Sequence, residues 1–504
     1  MKKNLLFKKA LLLNTLLLIL PFLINTLWAQ GNILYTLTAS GGANSTGAII
    51  SFNPTTGAEN VVYSFGQDSD GRNADKSGLV YHAGNGLFYA VTNGGGVNNK
   101  GAIISFNPAT NSESVVWSFG KDTDGTYPRG NLCFNPVNGL FYGATAGGGN
   151  NNGSNGTIFS FNPVTNAEHV VWSLGKDSDG ANPESSLVYD TANGLFYGTT
   201  IFGGSHSNGA IISFDPATNT ERLLWSFGAN VHTDAKMPQG DLAYNPGNGL
   251  YYGVTRLGGN VVNWRQTYDG GGTIYSFNPS SGNVSVVYNF GNDNDVYGPI
   301  NGLTYDPVNS LFYTITLYGG TQDTLAGGII SFNPNNNTEA VVGGLGGHPN
   351  DGFSPSGTLF YNVGNGLLYG VTFEGGLDSV GAIVSFDPTT NTESPVWSFV
   401  PGTDGTQPSS SFVSYSGPTG ISPVNKTSVI IYPDPATDII NINGLAVGQT
   451  VVMCNLLGQQ VCKVNATGNE QKLIVSSYAP GIYLLQVFNV DGTVTYSQQI
   501  VKED

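Results

Sequence analysis

The words "SFNP" or "SFDP" occur seven times in this chain, beginning at Ser51, Ser105, Ser160, Ser213, Ser276, Ser331 and Ser385. The intervals are 54, 55, 53, 63, 55 and 54 residues. A motif held at near-constant spacing marks one structural unit copied in tandem, and each unit must bury its apolar face against its neighbours. The third copy sets the pattern. "NLCF" (Asn131–Phe134) reads as a first strand, followed by the turn "NPVNG" and the second strand "LFYGAT". A Gly-rich loop, the strand "GTIFSF", the turn "NPVTN" and the strand "EHVVWSL" complete it. Aromatic and β-branched runs punctuated by Asn, Pro and Gly are strands and tight turns. The runs are apolar on both sides, as in sheets covered on both faces. Four-stranded sheets repeated radially form a β-propeller. The expectation is therefore an all-β chain with a seven-bladed β-propeller over residues 30–415.

The ends of the array support a closed ring. The first copy opens on "NILYTLT", a second strand with no first strand before it. The last copy is followed by "QPSSSFVSYS", in which Phe412 follows Pro408 by the same four positions that separate Leu132 from Pro128. Residues near Ser410–Ser414 are thus expected to supply the missing strand, which removes the open edges of the array.

Two further features recur in all seven copies. A Thr precedes a Gly-Gly pair: Thr38, Thr92, Thr145, Thr200, Thr255, Thr316 and Thr372. An Asp stands in each link between copies: Asp70, Asp124, Asp179, Asp234, Asp295, Asp351 and Asp404. Pro follows that Asp in six copies, with Ala74 in the other. Groups present in every copy read as structural. The Asp is expected to accept backbone N–H bonds and the Pro to fix the chain's entry. The Gly-Gly pairs read as turns. Trp117, Trp172, Trp225 and Trp397 share one position with Tyr63 and Tyr288. Their flat faces suit sugar stacking, but their repetition points to wedges between blades.

The flanking segments are of a different kind. "MKKNLLFKKALLLNTLLLILPFLINTLWAQ" has a basic start, an apolar run and a small residue, Ala29, at the expected cut, as in a signal peptide over residues 1–29. No Cys follows it, and no other segment is apolar and long enough to span a membrane. With its four Lys removed, 14 basic residues face 34 acidic ones, a balance of −20. No Lys/Arg cluster exists, so nucleic acid is not expected as a partner. After a Pro/Gly/Ser linker at 416–428, residues 429–504 show about seven short strands without the repeat words, consistent with a small Ig-like β-sandwich.

Two resemblances follow from these words. "DGTYP…NGLFYGATAGGG…GTIFSFNP" resembles the Gloeobacter/Verrucomicrobium-type (GloVer) tandem repeat, from about Asn32 to Tyr415, with Ala235 and Val296 where Gly is usual. That resemblance implies an exported propeller and no defined reaction. "YPDPATD", "NLLGQQV", "APGIYLLQV" and a late Lys502 resemble the type A C-terminal sorting domain of the type IX secretion system, with Asp434 where the family has Asn. This implies export across the outer membrane, the secretion machinery as a partner, and a released or surface-attached product.

No reaction chemistry stands out. His82, His169, His206, His232 and His348 fall at different repeat positions without metal-ligand spacing. The "DTDG" and "DSDG" links suggest calcium, yet lack the closing Glu of a calcium loop, so no cofactor is expected beyond that possibility. Cys133 stands at a repeat position held by Val, Ala, Thr or Phe elsewhere and reads as a small core residue. Cys454 and Cys462 share a predicted hairpin and could meet diagonally. One copy breaks the pattern: from Thr255 to the Gly opening the third strand there are 17 positions where others have 9 or 11. Arg256, Trp264, Arg265, Tyr268 and Asp269 in this stretch offer flat apolar faces and orienting charges, and are the candidate ligand contacts. The expected function is a monomeric, exported, non-catalytic recognition protein for an extracellular glycan or protein. An extracellular polysaccharide hydrolase or lyase, or a structural envelope component, are the alternatives.

Overall fold

The computed structural model describes residues 33–503 except 67–69, 75, 122, 151–154, 176–178, 231–233, 261–269, 292–295, 321–325, 349, 403, 416–428, 434, 456–459 and 489–493. The signal peptide and the linker fall outside the described residues. The chain divides into two compact units, residues 1–415 and 416–504.

Among the described residues the first unit holds seven antiparallel sheets of four or five strands, each a meander, and two two-stranded pairs, Gly71–Arg72 with Gly94–Gly95 and Gly180–Ala181 with Phe202–Gly203. The third sheet is representative: Gly125–Asn135, Leu140–Gly148, Thr157–Asn162 and Ala167–Ser173. Alternate side chains of one strand pack against opposite neighbours. Phe88 and Ala90 join Tyr35, Leu37 and Ile49 of the first sheet, whereas Tyr89 and Val91 join Phe141, Phe159 and Phe161 of the third. The same sharing continues sheet to sheet and ends where Tyr369, Val371 and Ile383 of the seventh meet Leu34, Ile50 and Phe52 of the first. The circuit is closed, as a β-propeller requires.

Closure takes place where the sequence indicated. Gly405–Pro408 and Val413–Tyr415 both pair with Ile33–Gly41, with Thr38 opposite Pro408 and Tyr35 opposite Val413. Thr36 Oγ1 and Ser410 Oγ lie 2.8 Å apart, and Leu37 N donates to Ser410 Oγ at 2.9 Å.

Two local expectations need correction. The first strand starts at Gly125, not at Asn131, because the "DGTYP" link runs beside the Gly-Gly stretch: Gly125 faces Gly148 and Thr126 faces Gly147. For the same reason the Gly-Gly pair is not simply a turn. Its first Gly lies in the second strand, and a Cβ on Gly148 would stand 2.7 Å from the Asp124 carbonyl oxygen. The Thr that precedes it holds this segment, since Thr145 Oγ1 donates to Gly147 O at 2.8 Å and accepts Thr157 N at 3.1 Å.

The departures at Ala235 and Val296 also find room. Ala235 is buried. Val296 occupies space left by Gly328, where a Cβ would overlap the Val296 Cγ1, and the matching position is Ala or Thr in the other sheets.

The second unit is built from Ile430–Tyr432, Ile439–Asn443 and Glu470–Ile474 in one sheet. The other contains Gln460–Asn465, Thr450–Asn455, Gly481–Phe488 and Val494–Lys502. Ile440, Ile442, Val451, Met453, Leu485 and Val487 form their shared core, so this unit is a small β-sandwich. Cys462 is a free thiol. Cys133 is also free and only half-buried, with its thiol pushed up to about 11 by desolvation.

Candidate functional site

Residues near the middle of the first strands line one cavity at the ring axis. In the third, fifth and seventh sheets the pairing slips between Arg129 and Cys133, Gln239 and Ala243, and Ser356 and Phe360. Such bulges redirect side chains. Gly130, Gly240 and Gly357 sit at these points with φ of 72°, 77° and 72°. A Cβ on Gly130 would meet Ser186 N of the next sheet at 2.7 Å, so only Gly permits this approach. In the second, fourth and first sheets a Ser replaces the Gly, and its hydroxyl accepts the ladder N–H: Val91 N to Ser77, Thr199 N to Ser185 and Leu37 N to Ser410.

The residue after each bulge point reaches the next sheet. Gly78 N donates to Asn131 Oδ1. Asn131 N donates to Ser186 Oγ at 2.8 Å, and Ser186 N donates to Asp241 Oδ1 at 2.6 Å. Gly302 N donates to Thr358 Oγ1 at 3.1 Å, and Thr358 N donates to Ser411 Oγ at 2.9 Å. The circle has no side-chain acceptor at Gly302 and Gly78, where the sequence provides no side chain.

Charge is gathered on one half of the axis. Lys76 Nζ lies 2.8 Å from Glu184 Oε2, and Arg129 Nη1 pairs with Glu184 Oε1. Asp241 is buried, which raises its carboxyl above the usual range, opposed by bonds from Ser186 N and Ser186 Oγ, the latter at 2.8 Å. Gln239, Asn301, Thr358 and Ser409–Ser411 complete the lining of an axial cavity of about 40 Å³. That space holds a few waters or a single inserted polar group.

The sequence reading missed this constellation. Its signal was present in the two positions flanking each bulge, which differ from copy to copy while the surrounding words repeat. Arg129, Glu184, Gln239, Ile300, Ser356 and Ser409 all directly follow a Pro. Of the sequence-predicted contacts, Arg256 is exposed on Leu250–Gly258, whereas Trp264, Arg265, Tyr268 and Asp269 lie outside the described residues. Among the described residues no group of three or more His, Cys, Asp or Glu could hold a metal ion.

The link aspartates act as turn anchors. Asp124 accepts Gly120 N at 2.8 Å, Asp179 accepts Gly175 N at 2.6 Å and Asp404 accepts Val400 N at 3.1 Å. These bonds are the backbone N–H contacts expected of the link aspartates. Asp68, Asp122 and Asp177, the other carboxylates of the "DSDG" and "DTDG" words, fall outside the described residues.

Facing these anchors from the next sheet are glutamates, buried at Glu168 and Glu393 and half-buried at Glu59, Glu113 and Glu221. Glu59, Glu113, Glu168, Glu221 and Glu393 are each pushed up to about 8, first by desolvation and then by Asp404, Asp70, Asp124, Asp179 and Asp351 respectively.

Residues 24–264 match the Gloeobacter/Verrucomicrobia repeat, and residues 430–503 match the secretion system C-terminal sorting domain. No curated protein matches the chain. Among solved structures, one similar chain is PorZ of Porphyromonas gingivalis, described as an essential bacterial surface component of the type-IX secretion system. It is 15% identical with a TM-score of 0.41, over 94% of this chain and 58% of that one. TolB from Acinetobacter baumannii is 13% identical with a TM-score of 0.37, over 61% of this chain and 62% of that one. A Lactobacillus plantarum protein is 11% identical with a TM-score of 0.49, over 76% of this chain and 99% of that one. This chain therefore spans less than two thirds of the first two. Among the described residues no helix is long and apolar enough to cross a membrane. The sorting domain marks an exported cell-surface protein, and the chain joins a β-propeller whose residues match the Gloeobacter/Verrucomicrobia repeat over 24–264 to a type IX C-terminal sorting domain.

Proposed function

We infer that the propeller is a non-catalytic recognition module, which binds an extracellular glycan or protein by a polar group inserted at its axis. The observation that carries this reading is the convergence of Lys76, Glu184 and Asp241 on one cavity, with Arg129 paired to Glu184 beside it. The surrounding sheets repeat, while these axial positions differ. Both carboxylates already accept bonds from protein donors, which suits a fixed, charge-paired surface better than a general acid. The fifth copy's insertion, with Arg256, Trp264, Arg265, Tyr268 and Asp269, is a second candidate contact on sequence grounds.

The test is a screen of the mature chain on immobilised polysaccharides and surface proteins, with release of reducing ends followed in the same wells. A ligand of the axis should bind about ten-fold more weakly to Lys76→Gln, with melting unchanged, as expected for loss of one charge-assisted contact. Turnover of any bound polysaccharide would replace recognition by the hydrolase or lyase alternative. Shortening the insertion to the nine-position spacing separates its contribution, since an unaffected ligand would remove it from the site.

A further inference from the structure

The shared aromatic position on the fourth strands has a regular hydrogen-bonding habit. Tyr63 Oη donates to Asp70 Oδ2 at 2.8 Å, Trp172 Nε1 to Asp179 Oδ2 at 3.2 Å, and Trp397 Nε1 to Asp404 Oδ2 at 3.3 Å. The partner stands seven residues on in these three, whereas Tyr288 Oη donates to Glu339 Oε2 at 3.1 Å, and Asp124 stands at the seven-residue spacing from Trp117. Yet Trp117 Nε1 is buried and has no acceptor. Buried indole N–H groups ordinarily find one.

The orphan donor belongs to a groove between the second and third sheets. Trp117, Trp172, Lys121, Asp124, Asn150 and Glu168 line it, and its volume is about 560 Å³. Glu168 is only 6% exposed, and its Oε1 has no donor. Trp117, with its unpartnered donor, and Glu168, with an unpartnered Oε1 of the kind also found at Glu59, Glu113, Glu221 and Glu393, thus line one groove walled by two indoles. That volume falls in the range of small-molecule sites, unlike the axial cavity.

We propose that this groove is a saccharide site that takes a neutral pyranose ring. A ring face suits an indole, and ring hydroxyls both donate and accept, so one sugar can satisfy Trp117 Nε1 and Glu168 Oε1 together. Burial and Asp124 push Glu168 up to about 8, so its carboxyl carries a proton at neutral pH and can donate as well. Lys121 and Asn150 add polar atoms at the rim. Asp124 disfavours an anionic sugar. The groove adds to the recognition reading and does not depend on the axial site.

The test uses the mature chain and a fixed probe set: methyl glucoside, methyl galactoside, methyl mannoside, N-acetylglucosamine and their β-1,4-linked trimers where these exist. Intrinsic fluorescence and calorimetry report binding. At least one probe is expected to bind saturably with a change in indole emission. Trp117→Phe keeps a ring and removes the N–H, and Glu168→Gln keeps the shape and removes the acid. Each should weaken binding about five-fold or more, the loss expected for one hydrogen bond. Lys76→Gln should leave it unchanged. Absence of saturable binding to every probe would overturn the proposal. So would binding that survives both groove variants, and loss in Lys76→Gln alone would reassign it to the axis.

Discussion

At the residue scale, one backbone position explains how consecutive sheets are fastened. The residue before each link Pro has positive φ: Tyr127, Asn182, Met237, Ser354 and Gln407 at 53–56°, with Asn73 before Ala74 at 52° and Gly298 at 68°. In this conformation its N–H turns back to the previous sheet. Tyr127 N reaches Lys100 O at 2.8 Å, Met237 N reaches Asn208 O at 2.8 Å, and Gln407 N reaches Val380 O at 2.8 Å. Non-Gly residues are strained there, and the sixth sheet already uses Gly298. Met237→Gly should therefore leave the bond in place and change stability by no more than about 1 kcal/mol, with relief of strain offset by greater freedom of the unfolded chain. Met237→Val should cost clearly more, because a β-branched residue fits this region worst. Urea denaturation of the two variants checks the order.

At the scale of the element, the fourth strands set glutamates against the aspartates of the preceding links, and these make stability depend on pH. Glu59, Glu113, Glu168, Glu221 and Glu393 hold their protons to about 8 in the folded chain, against an ordinary value of 4.5. The folded state thus binds more protons than the unfolded state between these limits. Their contribution is fully present below about 4.5 and is lost as pH rises towards 8. The urea midpoint should fall from pH 5 to pH 8.5, and Glu59→Gln with Glu113→Gln should flatten that fall. A midpoint that rises across this window would contradict protonated pairs. The second strands show another repeated device. Asn85, Asn138, Asn193, Asn248, Asn309 and Asn365 each donate from Nδ2 to a buried Tyr four positions on, at 2.8–2.9 Å. The Asn and the Tyr of "NGLFYG" recur together because one satisfies the hydroxyl of the other.

At the scale of the whole molecule, the ring depends on a strand drawn from its far end. Ser409 Oγ donates to Ala74 O at 2.8 Å, and Phe412 packs against Phe52 and Tyr369, so this segment touches both neighbours of the seam. Deleting residues 409–415 should expose two sheet edges and two apolar faces and lower the melting temperature sharply. A truncated chain that melts like the intact one would contradict closure. The sorting domain predicts a separate effect. Removing residues 429–504 should leave the propeller's circular dichroism unchanged and abolish its display on the cell surface, as followed by surface proteolysis of the native host.

The repeat determined most of the architecture by itself. Seven copies of the same apolar words cannot be buried singly, so they must stack, and the split between "NILYTLT" and "QPSSSFVSYS" shows that the stack closes. The sorting domain was equally legible, because "YPDPATD" and "APGIYLLQV" are local words that need no partner to be read. The functional surfaces were not. Lys76, Arg129, Glu184 and Asp241 lie up to 165 positions apart, and their variation between copies gains meaning as a site only when the ring brings their bulges to one axis. Trp117 is a repeat residue like Trp172 in sequence, and only tertiary packing leaves its N–H without the Asp that the repeat provides elsewhere. Periodicity records what every copy shares and so specifies the scaffold, whereas a site arises where copies differ and meet, which only the closed fold decides.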